Sequence, residues 1–523
     1  MVAIGCVCWL SGAARGVPAP PDHIVIVIEE NHSFQNVIGN VDAPYMNQLA
    51  TQGALLTNMY ALTHPSQPNY LQFFSGSNQG VGSNGLPLAG FTTPNLGAAL
   101  FAAGRTFTGY CEDLPAVGSN IEVSGQYYRK HNPWANWQMD PPGPNQYAST
   151  VNRPFTDFPS DYTTLPTVSI VVPNQDHDMH DGTIAQADVW LSANLGGYAA
   201  WCRTHNSLLI VTWDEDSFAA QNQIPTIFYG PGVRLGTHDS RRTLHDLLAT
   251  VCAMYGATPP GAGADVRPMV GLFAGEPVVS VARFRQGEVA YLGAHDTWID
   301  GDNGASTHGA DVQLVCDGTP VNQALLRFDN LFGASAGRVP PGATIHSAKL
   351  SLLTGTGASD LSGSTMDMHR MLVPFSEAST WESLVGGVNV GSEAVSPRDF
   401  STQPRTLDTW EVMDVTASVL AWQAGASNNG WVVNAVGGDG WRFASCEAAS
   451  VNQRPILEIA YSMPGCAACA ADFDCSGGGP MVADVFAFLS AWFAGDPRAN
   501  FNGTGGINVQ DIFDFLAAWF VGC

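Results

Sequence analysis

His23-Ile24-Val25-Ile26-Val27-Ile28 runs without a break into Glu29-Glu30-Asn31-His32-Ser33-Phe34. Five consecutive β-branched residues with no polar alternation describe a strand buried on both faces, as in a parallel sheet. Three further runs share this character: Thr167 to Val172 (TVSIVV), Ser207 to Trp213 (SLLIVTW) and Ile224 to Tyr229 (IPTIFY). Longer amphipathic stretches separate them, so 22–273 reads as an α/β domain with a parallel sheet. In open sheets of this kind, ligands bind beyond the carboxyl ends of the strands. Here those ends are acidic: Glu29-Glu30 after the first run, Asp176-His177-Asp178-Met179-His180-Asp181 after the second, and Asp214-Glu215-Asp216 after the third. Carboxylates gathered at one sheet edge cannot all stay ionised without a compensating cation, and a divalent metal is the expectation. Any one cluster alone would read as solvated loop residues or helix caps.

Between the first two strands lies Leu62-Thr63-His64-Pro65-Ser66-Gln67-Pro68-Asn69-Tyr70. A hydroxyl held at a proline-bracketed turn suits nucleophilic attack, because a nearby cation lowers its pKa and fixes its direction. Thr63 is the second hydroxyl candidate. Further on, Tyr127-Tyr128-Arg129-Lys130-His131-Asn132-Pro133 places three potential cations together, able to hold phosphoryl oxygens or to protonate a leaving group. Lys130 is one of only two lysines; the other is Lys349. With 21 basic against 46 acidic residues, the formal charge of −25 argues against nucleic acid and anionic membranes as partners.

Glu30-Asn31-His32-Ser33-Phe34, Thr63-His64-Pro65-Ser66 through Asn69-Tyr70, Lys130-His131-Asn132-Pro133, Met179-His180-Asp181-Gly182 and Thr212-Trp213-Asp214-Glu215 occur in an order that resembles the phosphoesterase family of bacterial acid phosphatases and phospholipases C. The resemblance covers about 22–273 and implies an α/β sandwich of alkaline-phosphatase type. It also implies a metal-dependent phosphoric ester hydrolase acting on a phosphate ester substrate. On this basis Glu30, Asn31, Asp214 and Glu215 are expected to hold one divalent metal ion, and Ser66 to be the nucleophile. Lys130, His131, His180 and Asp181 are expected in the catalytic machinery, with His245 lining the pocket. Phosphomonoester and phospholipid substrates remain open. A sulfatase-like reaction lacks the C-x-P-x-R element. A different class of function, a catalytically inactive surface-attachment or carbohydrate-binding protein, is the alternative.

From about 276 to 462 the texture changes to short alternating segments between Gly, Ser and Asn, which reads as an all-β sandwich. Pieces such as Ala324-Leu-Leu-Arg-Phe-Asp-Asn and Ser379-Thr-Trp-Glu resemble the DNRLRE-type domain. Trp381, Trp422 and Trp431 are either core or a sugar-binding surface, core being the first expectation. In 466–523, ADVFAFLSAWFAG (483–495) and QDIFDFLAAWFVG (510–522) agree at 8 of 13 positions with a period of 27, an internal repeat. The repeat resembles a dockerin-like, EF-hand type module. Asn500, Asn502, Thr504, Asn508 and Asp511 stand at loop positions 1, 3, 5, 9 and 12, with Gly505 at the turn, so calcium and a cohesin-like partner are implied. A disulfide-closed helical hairpin is the metal-free alternative.

Residues 1–20 hold an apolar run, Val2 to Ala14, that reads as a signal peptide without its basic start, which places the chain outside the cell or at its surface. No other run is long and apolar enough for a transmembrane segment. Export suits structural disulfides, with Cys202–Cys252, Cys316–Cys446 and pairs among Cys466, Cys469, Cys475 and Cys523 as the expected bridges.

Overall fold

The computed structural model describes residues 20–85, 90–218, 221–333, 335, 337–463, 471–473, 480–502 and 506–522. The four apolar runs are strands of one eight-stranded sheet, and tertiary pairing adds four further strands. In chain order these are β1 His23–Glu29, β2 Ala54–Leu56, β3 Phe107–Cys111, β4 Asn152–Pro154, β5 Val168–Val172, β6 Ser207–Trp213, β7 Thr226–Tyr229 and β8 Gly236–His238. Their order across the sheet is β8-β2-β7-β6-β1-β5-β3-β4. The expectation of parallel pairing fails for IPTIFY, because β7 runs antiparallel to both β6 and β2. Only residues 214–225 separate β6 from β7, too short a connection for a crossover helix, so the chain turns straight back.

Helices cover both faces: α1 Pro44–Gln52, α2 Ser66–Ser75, α3 Leu96–Ala102, α4 Ile184–Cys202 and α5 Leu244–Met254. One group is α1 with α4; the other is α5 with α2 and α3. This division breaks the expected Cys202–Cys252 bridge, because Cys202 ends α4 and Cys252 lies in α5, on opposite sides of the sheet. The second expected bridge fails on register. Cys316 is opposite Trp441 and Gln313 opposite Ala444, which sets Cys446 about five residues, roughly 17 Å, along the strands from Cys316. All five cysteines among the described residues (Cys111, Cys202, Cys252, Cys316 and Cys446) are free and buried. Cys466, Cys469, Cys475 and Cys523 lie outside the described residues, as do residues 1–19 of the expected signal peptide.

A β-rich domain follows. Ser280–Arg285, Ile456–Ser462, Thr344–Leu353 and Trp410–Asp414 form one antiparallel sheet. A larger sheet has Val321–Phe328 and Trp431–Val436 near its centre. The two share one apolar core through Leu350, Leu457 and Ile459 on one side and Leu326, Trp431 and Phe443 on the other. Trp422 and Trp431 are buried there, and Trp381 is half-buried against a smaller cluster. The expectation of core tryptophans therefore holds.

The two domains are joined by buried polar contacts. Lys349 Nζ lies 2.8 Å from Asp246 of α5 and 3.2 Å from Asp414. Asn58 donates to Glu458 at 3.1 Å, and Arg242 donates to Ser347 at 2.9 Å. Ion pairs this well buried favour one relative placement, since breaking them strands charge away from water.

In the tail, helices Val482–Ala494 and Val509–Val521 stack Phe488 on its repeat equivalent Phe515, with centroids 4.2 Å apart. Thr504 and Gly505 of the expected calcium loop lie outside the described residues. Of the other expected ligands, Asp511 accepts from the Asn502 and Asn508 backbone N–H groups, Asn508 Oδ1 accepts from Gln510 N, Asn502 donates through its side chain to Asp514 at 2.7 Å, and Asn500 Oδ1 is buried without a hydrogen bond. Among the described residues no helix is long and apolar enough to cross a membrane.

Candidate active site

Register brings the acidic strand ends together. Glu29 is opposite Trp213 in the parallel β1–β6 pair, so Glu30-Asn31 and Asp214-Glu215 leave the sheet side by side. Asn31, at φ 51°, turns its N–H onto Asp214 Oδ1 at 3.3 Å. On the other flank of β1 the chain leaving β5 returns, and Glu30 N donates to Asp178 O at 2.8 Å. Glu29 points elsewhere. Burial, then Asp178, Asp188 and Glu112, drive its carboxyl well above the usual range, so the second glutamate of the pair faces the site.

Ser66 opens the ten-residue helix α2. The turn before it is clamped by Asn69, whose Oδ1 accepts from Leu62 N and Thr63 N, both at 3.0 Å. Asn222 donates to Thr63 O at 2.8 Å and ties this turn to the loop after β6. Held in this way, Ser66 Oγ lies 3.0 Å from Glu215 Oε1 and 3.2 Å from Glu30 Oε2, with 1% of its surface exposed. The positive end of α2 faces the same point.

Lys130 and His131 lie on a single 3-10 turn, Arg129–His131. The next turn wedges Trp134 against Gly109 of β3, and Trp134 Nε1 donates to Asn152 of β4 at 3.0 Å. This anchoring points His131 into the sheet edge. Its Nε2 sits 3.0 Å from Glu30 Oε1, its Nδ1 sits 3.4 Å from Asp178 Oδ2, and its ring stacks on Tyr70. Burial, then Lys130 and His180, push the His131 pKa well below the usual value. Lys130 Nζ donates to His180 Nε2 at 3.1 Å. The other ring nitrogen therefore carries the hydrogen and donates to Asp181 Oδ1 at 2.8 Å.

Burial raises the pKa values of Glu30, Asp214 and Asp178 well above the carboxylate range. Mutual repulsion adds to the effect. Asp214 and Asp178 act on Glu30, and Glu215 acts on Asp214. Glu30 Oε1, Asn31 Oδ1, Asp214 Oδ2 and Asp178 Oδ2 are buried without an aligned hydrogen bond. Hard oxygen donors crowded together and otherwise unsatisfied fit a divalent cation. Glu30, His131 and His180 also place one ligand atom each within 4.8 Å of one another. Of that trio only Glu30 belongs to the expected metal set.

The structure thus gathers Glu30, Asn31, Ser66, Lys130, His131, His180, Asp181, Asp214 and Glu215. His245 lies apart, on α5, lining a cavity between the two domains. The convergent ionisable groups mark the strand ends, and not that cavity, as the chemical site. Sequence reasoning missed three residues. His64 bridges Glu215 Oε2 at 2.8 Å and Asp216 Oδ1 at 3.2 Å. Burial opposes its protonation, but the two carboxylates outweigh burial and raise its pKa to about 9. Asp178 and Tyr70 are the others. The available signals were adjacency to Pro65-Ser66 for His64, the Asp-His-Asp run for Asp178, and a spacing of one helical turn from Ser66 for Tyr70.

Residues 40–257 match the Phosphoesterase family. Phosphatidylinositol-3-phosphatase of Mycobacterium tuberculosis (strain ATCC 25618 / H37Rv) is 46% identical over 272 residues, covering 52% of this chain and 88% of that protein. The chain belongs to the phosphoesterase family. This phosphoesterase is accordingly a hydrolase acting on phosphoric esters. Acid phosphatase of Aspergillus fumigatus (strain ATCC MYA-4609 / CBS 101355 / FGSC A1100 / Af293) is 29% identical over 284 residues, covering 50% of this chain. Phosphate-repressible acid phosphatase of Penicillium chrysogenum is 29% identical over 271 residues, covering 48% of this chain. The phosphoesterase spans 63% of the length of each of these fungal relatives. In its β-rich domain, residues 288–461 match Carbohydrate-binding module family 96.

Proposed function

We propose that this phosphoesterase is a metal-dependent phosphomonoesterase in which Ser66 is the nucleophile. The observation that carries the reading is the placement of Ser66 Oγ, at the start of a helix, within hydrogen-bond distance of both Glu215 and Glu30, either of which can accept its one proton. A divalent ion held by Glu30, Asn31, Asp214 and Glu215 would supply charge neutralisation at the phosphoryl oxygens and a lowered hydroxyl pKa. The Ser66 oxygen bonds to phosphorus as the bond from phosphorus to the alcohol oxygen breaks, and the serine proton passes to a carboxylate, Glu215 or Glu30. Lys130, beside His180, faces the departing oxygen and gives it a proton. His131, 3.0 Å from Glu30 Oε1, orients that carboxylate. Water then attacks the phosphoserine, phosphate leaves, and the serine recovers its proton.

Relatives named acid phosphatase and phosphatidylinositol-3-phosphatase support a phosphomonoester over a diester. Hydrolysis of p-nitrophenyl phosphate and bis-p-nitrophenyl phosphate, with and without chelator, tests both points. Preference for the diester, or indifference to chelation, would overturn the corresponding part.

For the β-rich domain we propose saccharide binding, on the family match of 288–461. The apolar run Val2 to Ala14 supports export of the enzyme. Mass analysis of protein recovered from the medium tests this, with cleavage before Asp22 as the expected result.

A further inference from the structure

A cavity of about 360 Å³ lies where the two domains meet. Its volume falls in the range of roughly 300–1,000 Å³ typical of small-ligand sites and far exceeds a single water. One wall belongs to the phosphoesterase domain and carries Asn78 and His245; the other belongs to the β-rich domain and carries Phe400, Gln403, Arg405 and Trp410. At one margin Thr63 Oγ1 meets Thr406 Oγ1 at 2.8 Å. His245 is 6% exposed, and its Nε2 has no hydrogen-bond partner. Polar side chains contributed by both domains around a cavity of this size suit a small polar ligand.

The lining also limits the class of ligand. Half of its residues carry neutral hydroxyls or amides, which donate and accept in several directions; Phe400 and Trp410 add aromatic rings, and Glu411 adds a carboxylate that accepts from Thr402 Oγ1. Arg405 is its one arginine, exposed and already bonded to Gln403 Oε1 at 3.0 Å. A phosphate or other compact anion would require concentrated positive charge, and none is gathered here. A ring bearing several hydroxyls uses both the neutral polar groups and the aromatic faces.

We propose that this seam cavity is a saccharide site shared by the two domains, accepting one hexose-sized unit of a glycan. The proposal rests on the saccharide-binding reading of the β-rich domain and adds to it a location with half its wall in the catalytic domain.

Calorimetric titration of the full chain with glucose, galactose, mannose, glucuronate and their disaccharides tests it, with Asn78→Ala and Arg405→Ala as variants. Neither residue belongs to the catalytic cluster. At least one sugar should bind saturably to the wild-type chain. Each substitution should weaken binding tenfold or more, with p-nitrophenyl phosphate turnover within twofold of wild type. Loss in Asn78→Ala is the decisive result, because a site elsewhere on the β-rich domain would not sense that residue. Sugar binding unaffected by either variant would overturn the seam location and leave the saccharide-binding reading standing. No binding of any sugar to the wild-type chain would overturn both.

Discussion

On the proposed reading Ser66 attacks while Glu30 and Asp214 hold the ion, and changes at Ser66 and Asp214 should fail differently. Ser66→Ala removes the attacking oxygen and leaves its two carboxylate neighbours in place. Turnover should fall by roughly 10³-fold or more while the melting temperature holds or rises, since a buried hydroxyl shared by crowded carboxylates contributes little to stability. Asp214→Asn should also abolish turnover, and it should raise the stability of metal-free protein by removing one member of a repelling group. The pH dependence has a definite sign. Glu30, Asp214 and Asp178 have raised folded pKa values in the absence of a cation, from burial first and repulsion second. Such groups stabilise the fold below their unfolded pKa, and that contribution is lost as pH rises through the folded values. Chelated protein should therefore lose melting temperature as pH climbs above about 4, while metal-loaded protein should not. Parallel melting curves for the two forms would count against a cation among these oxygens.

The loop bearing Lys130 and His131 depends on a single glycine two strands away from the nucleophile. A Cβ on Gly109 would lie 2.0 Å from the Trp134 ring, so Gly109→Ala must move that tryptophan or the strand. A loss of about 1–3 kcal/mol is expected from overpacking of this kind, read by denaturant melts, together with a lower kcat/KM as the Lys130 turn shifts. Elements of this type also show where sequence reading stops. Runs such as His23 to Ile28 and Ser207 to Trp213 are legible because continuous β-branched residues need burial on both faces. Phe107–Cys111, with glycine at its centre, and Asn152–Pro154, with proline at its end, are strands only because the sheet beside them is already formed. The site followed the same division. Glu30, Asn31, Asp214 and Glu215 were legible as polar groups directly following strong strands, and Ser66 through its prolines. His64 and Asp178 were not, because their importance lies in partners 151 and 47 positions away, Glu215 and His131. His245 sits next to Asp246, whose side chain faces the β-rich domain, and that placement is set by tertiary packing.

At the scale of the whole molecule, the β-rich domain is fastened to the catalytic one through Lys349. Burial alone would raise the pKa of Asp246, but Lys349 and Arg242 outweigh burial and hold it below its ordinary value. Stability from such a carboxylate is complete above its unfolded pKa and is lost as pH falls through the lower folded value. Lys349→Met should cost about 3–5 kcal/mol near neutral pH, because it leaves Asp246 and Asp414 buried without their cation. The deficit should narrow below about pH 4, as Asp246 becomes protonated. A deficit independent of pH would mean that lost packing, not charge, is responsible. The claim on which the enzymatic reading turns is that Ser66 carries the phosphoryl group. Acid quenching during turnover of p-nitrophenyl phosphate, followed by peptide mass spectrometry, tests it most directly. The expected result is one phosphoryl group on Ser66, absent in Ser66→Ala. Phosphorylation at another residue, or near wild-type turnover by Ser66→Ala, would contradict the account.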